Sequence, residues 1–124
     1  MFHNMSSMDQ ISQIYHNDFG VSFHWRKENR VITNRVQLVF KETGFYFSEP
    51  ELQQFSEIIQ NTCSKMICRD CSRFSECHKF LLKTPLTEID LAVCKNELLQ
   101  IKDLVEGTLF QLRLEEYING ICKN

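Results

Sequence analysis

The sequence predicts an α+β domain: an antiparallel sheet of four to five strands, with helices packed on one face, assembled from two ββα repeats. Three observations carry this reading. Aromatic and β-branched residues alternate with polar ones in several early stretches, the period-two signature of strands. A helix start is written at Ser48. The pattern of residues 44–60 then recurs at 90–106. At 124 residues, 43% apolar and with ten phenylalanines, the chain is large enough for one domain with its own core.

Residues 1–17 read as a polar, weakly structured leader with a helical turn around Met8 to Tyr15, so the domain proper spans 18–124. In "FGVSFHWR", Val21, Phe23 and Trp25 share one side of a strand. Lys27 to Asn29 make a polar turn. "RVQLVF" groups Val36, Leu38 and Phe40, and "GFYFS" groups Phe45 and Phe47, with a hairpin turn in "KETG" (Lys41 to Gly44) between them. Ser48 and Glu51 form a capping box: the hydroxyl accepts from the Glu51 amide, and the carboxylate reaches back. Pro50 falls in the first turn, where its missing donor costs nothing. Leu52, Phe55, Ile58 and Ile59 make one stripe, which predicts a helix from Glu49 to about Ser64.

The repeat units cover about 35–62 and 80–106. A shift of 46 places Phe45 and Phe47 on Leu91 and Val93, and Leu52, Phe55, Ile58 and Ile59 on Leu98, Ile101, Leu104 and Val105. Glu51, Leu52 and Gln54 meet identical residues at Glu97, Leu98 and Gln100. The second hairpin spans Phe80 to Thr84 and Ile89 to Val93, with Pro85 in the turn because a central strand needs its donors. Gly107 reads as the residue that stops the second helix, with Thr108 and Gln111 capping a last helix to about Asn119. Alternatively the helix runs through Gly107 at a cost of about 1 kcal/mol. A strand over 109–114 is the third option. Side by side, the two units would share one sheet, whose far face carries Val39, Tyr46, Ile32 and Ala92. A half-apolar face needs cover, so a homodimer is expected.

Between the units lies the cysteine-rich connection 63–78, with four of the six cysteines and a histidine. The pair Cys68-x-x-Cys71 has the spacing at which two thiolates converge on one tetrahedral ion. Further ligands can come from Cys77, Cys63, His78 or a distant Cys94. The candidate metal site is therefore Cys63, Cys68, Cys71, Cys77 and His78, four of these at most. Such sets suit zinc, or an iron–sulfur cluster, and they read equally as free thiols holding no cofactor. The Cys-x2-Cys-x5-Cys core resembles the start of the ligand pattern in auxiliary cluster domains of radical enzymes, but Leu81 stands where that pattern wants its fourth cysteine. A thioredoxin-type role is disfavoured, since this pair opens no helix after a strand.

A net charge of −2 speaks against a protein built chiefly for nucleic acid or anionic membrane, although residues 26–41 and 63–83 are locally basic. No basic cluster precedes an apolar core in "MFHNMSSMDQ", so no signal peptide is read, and a cytoplasmic, reducing location is expected. The glycines form no phosphate cradle, and no acid–base constellation is visible. The sequence thus points to a small non-catalytic binding or interaction domain with a structural zinc site in the connection. The first alternative is a redox or iron–sulfur module using Cys63, Cys68, Cys71 and Cys77. The second is a nucleic-acid-associated regulator.

Through "FLLKTP", "ELLQIKDLVEGTLFQL" and the duplicated hairpin-helix, residues 35–118 resemble a group of small bacterial proteins of unassigned role. The resemblance implies a small cytosolic single-domain protein and brings no activity or site residues with it.

Overall fold

The structure, a computed structural model, describes residues 10–67 and 79–122. In chain order it contains β1 (Ile11–His16), β2 (Gly20–Lys27), β3 (Arg30–Val31), β4 (Val36–Phe40), β5 (Thr43–Phe47), α1 (Glu49–Ile67), β6 (Phe80–Lys83), β7 (Asp90–Val93) and α2 (Lys95–Cys122). The expected α+β architecture is present. An antiparallel sheet runs β1-β2-β4-β5, with β3 folding back on β2, and both helices pack on one of its faces.

That inner face is built by strict alternation. Val36, Leu38 and Phe40 of β4 and Phe45 and Phe47 of β5 point at the helices and are buried. They meet Leu52, Phe55 and Ile59 from α1 and Leu98, Ile101, Leu104, Val105, Leu109 and Leu112 from α2 in one core. Burial of each such side chain is worth about 1.5–3 kcal/mol, and this cluster is the main cohesive term of the fold.

The two ββα units occur in the expected order, but they do not share a sheet. Hairpin β6–β7 stands apart as a two-stranded sheet. It packs against α1 and α2 and contributes Leu82 and Val93 to the common core. Its turn is tied by Thr84, whose hydroxyl donates to the Ile89 carbonyl at 2.7 Å and accepts from the Leu86 amide at 3.2 Å. The other three strands of the main sheet, β1 to β3, come instead from before the first unit, β1 of them from the N-terminal region. Expected as a weakly structured leader over 1–17, this region contains β1, paired with β2 from Ile11↔Trp25 to His16↔Val21. A register shift between Gln13 and Tyr15 leaves Ile14 as an extra residue, and both Ile14 and Tyr15 pack against the core. The burial of these two side chains is what orders the strand.

Equivalent positions of the two units play equivalent parts. Ser48 N donates to Glu51 Oε1 at 2.9 Å, and Cys94 N donates to Glu97 Oε1 at 3.0 Å, so both helices begin with a carboxylate reaching back. Where the helices meet, Gln60 Nε2 donates to Glu106 Oε2 at 3.2 Å. These residues are themselves 46 apart, so the contact joins equivalent positions of the two units.

Helix α2 does not stop at Gly107. The ring of Tyr15 lies on that glycine: a Cβ there would sit 2.4 Å from its Cε2 and Cζ. The glycine is thus required by close packing and not by a left-handed cap, so the continuous alternative holds and the strand over 109–114 does not form.

Candidate functional site

The face of the main sheet turned away from the helices carries the residues between the core positions. Three rows cross it: Ile11 beside Trp25; Gln13, Phe23, Gln37 and Tyr46; and Val21, Val39 and Gly44. Residues adjacent along a strand face opposite ways, so these positions follow directly from the inner set. Val21, Phe23 and Trp25 share a side as expected, and that side is the outer one.

Trp25 and Gln37 form the centre of this face. The indole Nε1–H donates to Gln37 Oε1 at 3.1 Å, while Gln37 Nε2 donates to the Phe45 carbonyl at 3.2 Å. Phe23 is buried beneath, with its ring edge-on to Trp25 at 5.0 Å between centroids. These contacts fix the indole in one orientation while leaving it partly accessible. Beside it, Trp25, Gln37, Val39, Lys41, Glu42, Thr43 and Gly44 line a shallow groove of about 490 Å³. Val39 also borders a second hollow of about 510 Å³ that runs past Val21 and Phe19 to Ile11. Gly44 contributes no side chain opposite Val39, which opens the groove floor. Tyr46, 43% exposed, carries Arg35 over its ring at 5.7 Å, and that guanidinium also donates to the Tyr46 carbonyl and pairs with Glu51 at 3.4 Å. The surface combines fixed aromatics with polar hydrogen-bonding groups at its rim, a composition suited to recognising another protein surface. Ala92, expected on this face, lies on β7 in the separate hairpin.

One residue of the groove lining, Lys41, also belongs to a charged cluster. Lys41, at the β4–β5 turn with a left-handed φ of 54°, pairs with Glu97 in the first turn of α2, and Lys79 pairs with the same carboxylate at 3.1 Å. The Lys41 ammonium, the Cys94 amide and Lys79 together hold Glu97 down at about 2. The same pairing holds the Lys41 ammonium above its ordinary value. Sequence reasoning did not find this site. The 46-residue shift, which sets Glu97 on the capping Glu51, was the available signal.

Of the five candidate metal ligands, Cys63 is described. It sits on α1, half-buried against the core, and loss of water there pushes its thiol up. Cys68, Cys71, Cys77 and His78 lie outside the described residues. Among the described residues, no group of three or more His, Cys, Asp or Glu side chains is arranged to hold a metal ion, and no helix is long and apolar enough to cross a membrane.

No family model, curated protein or solved structure matches this chain.

Proposed function

We propose that the protein is a small non-catalytic interaction domain whose working surface is the outer face of the main sheet. The supporting observation is the fixed, partly accessible Trp25, hydrogen-bonded to Gln37 in an apolar groove that neither described helix covers. An amphipathic aromatic residue held in one rotamer adds contact area with little further loss of freedom on binding, and this is why such residues dominate binding energetics. Replacing Tyr46 by p-benzoylphenylalanine and irradiating cells tests this directly. A discrete cross-linked adduct is expected from Tyr46 and not from the same group at exposed Glu57 on α1. No adduct, or the same pattern from both positions, would sink the reading.

We propose further that Cys68, Cys71, Cys77 and His78 hold a structural zinc ion. The support is the Cys-x2-Cys spacing together with the placement of Cys63, whose raised thiol and core contacts suit packing better than ligation. Zinc would tie the end of α1 to the start of β6. Elemental analysis of anaerobically purified protein beside a Cys68→Ser/Cys71→Ser variant decides. About one zinc per chain, lost in the variant, is expected for such a site. Visible absorption with iron would favour the iron–sulfur alternative, and neither metal would leave ordinary thiols. The nucleic-acid reading has less support: Arg35 and Lys41 of the first basic stretch are engaged with Glu51 and Glu97.

A further inference from the structure

Helix α2 has two apolar faces. One supplies the core. On the opposite face Phe110, Leu114, Tyr117, Ile118 and Ile121 are exposed, at 60%, 38%, 67%, 46% and 56%. A contiguous apolar face of this kind ordinarily marks a contact surface.

We infer that this stripe is the seam of a homodimer, in which the C-terminal half of α2 packs antiparallel on the same half of a second copy. Four features carry the inference. The first is spacing. Positions 110, 114, 117 and 121 alternate steps of four and three, the a/d pattern by which two helices interlock. The second is continuity. The same pattern extends back through Gly107 and Asp103, and there the chain supplies its own cover: Tyr15 lies on Gly107 and donates to Asp103 Oδ2 at 3.0 Å, and Asn17 Nδ2 donates to the same carboxylate at 2.9 Å. The apolar stripe begins where this cover ends.

The third is the state of the helix itself. Every residue from 113 to 121 is exposed, so about 13 Å of helix receives little support from the core at a rise of about 1.5 Å per residue. A helical stretch that short is marginal by itself and gains most from packing its apolar face. The fourth is area. The five side chains together present on the order of 500 Å² per copy, so two copies would remove about 1,000 Å², the lower bound of a specific interface. No charged residue interrupts the stripe, so its partner must offer an equally apolar strip of the same pitch. A second copy does. Antiparallel pairing sets Phe110 opposite Ile121 and Leu114 opposite Tyr117, and it keeps the two domain bodies at opposite ends of the seam. The sheet face is left free for a different partner.

Sedimentation equilibrium on the full chain, from low micromolar to submillimolar concentration, tests this. A concentration-dependent species of twice the 14.7 kDa chain mass is expected. Leu114→Glu and Tyr117→Glu should shift the protein to monomer at every concentration with the core helices retained by circular dichroism. Leu81→Glu, at a residue 64% exposed on β6 and outside the seam, should leave the dimer intact. A wild-type chain that stays monomeric throughout overturns the inference, as does a dimer that survives Leu114→Glu. A monomer that loses thermal stability with Leu114→Glu would assign the stripe to a segment of the same chain, and it also overturns the proposal. Cross-linking at Tyr46 reads a different surface, so either proposal can fail alone.

Discussion

The ring of Tyr15 rests on Gly107, and its hydroxyl donates to Asp103 one turn earlier on the same helix. This one contact joins the first strand to the longest helix across most of the chain. It also explains why α2 passes through a glycine. The hydrogen bond to the carboxylate holds the Tyr15 phenol above its ordinary value.

Gly107→Ala should therefore destabilise the protein, by about 1–3 kcal/mol as overpacking usually does, although alanine is the better helix former by about 1 kcal/mol. In a Tyr15→Ala background the sign should reverse. Urea denaturation of the four proteins of this cycle checks it; equal effects in both backgrounds would refute the contact.

Gly20→Ala should be more damaging. Its Cβ would lie 2.4 Å from the Val39 carbonyl oxygen, 2.8 Å from Phe40 Cβ and 2.9 Å from Leu104 Cδ2, so backbone must move and β2 must part from β4. Gly120→Ala, with nothing within 4 Å, should be neutral or slightly stabilising. Thermal melts of the two variants should fall on opposite sides of the parent or nearly so.

Glu97 predicts an acid-sensitive contribution. Its carboxyl is lowered from an ordinary 4.5 to about 2, first by Lys41, then by the Cys94 amide and Lys79. A depressed folded-state value means the stabilisation is fully present above about pH 4.5 and is lost as pH falls toward 2. The stability gap between the parent and Glu97→Gln should accordingly be constant at neutral pH and shrink through that window. Lys41 shifts upward and stays protonated throughout, so it adds no titration there.

Ser22 and Thr108 form a buried polar pair between β2 and α2, with oxygens 2.6 Å apart. The Thr108 hydroxyl donates to the Leu104 carbonyl at 2.6 Å, so Ser22 is the donor of the pair. Thr108→Val removes that acceptor and should cost about 1–3 kcal/mol, toward the low end because Ser22 can turn to the Tyr15 carbonyl at 3.3 Å. Adding Ser22→Ala should recover part of the loss. Strictly additive losses in chemical denaturation would contradict the pairing.

Local features were legible in the sequence. The alternation in β2, β4 and β5, the Ser48–Glu51 capping box and the stripe on α1 each depend on residues a few positions apart, and all are present. The 46-residue recurrence correctly matched the buried positions of the two helices, because burial imposes the same helical period on both. Of the candidate site, the strand residues were visible, but not the side of the sheet they would face.

What sequence alone determined is therefore most of the elements, from β2 onward, and which residues of each share a face. Tertiary structure decided the rest. Val21, Phe23 and Trp25 alternate as cleanly as Val36, Leu38 and Phe40, yet one set faces away from α1 and α2 and the other toward them, because both described helices pack on one side. Strand β1 was obscured by the irregularity at Ile14, and it orders because Ile14 and Tyr15 have a helix to pack on. The passage of α2 through Gly107 depends on a ring ninety-two positions earlier in the chain. Hydrogen-bonded periodicity is a short-range property and is written locally; which apolar face meets which is settled only when distant segments compete to exclude the same water.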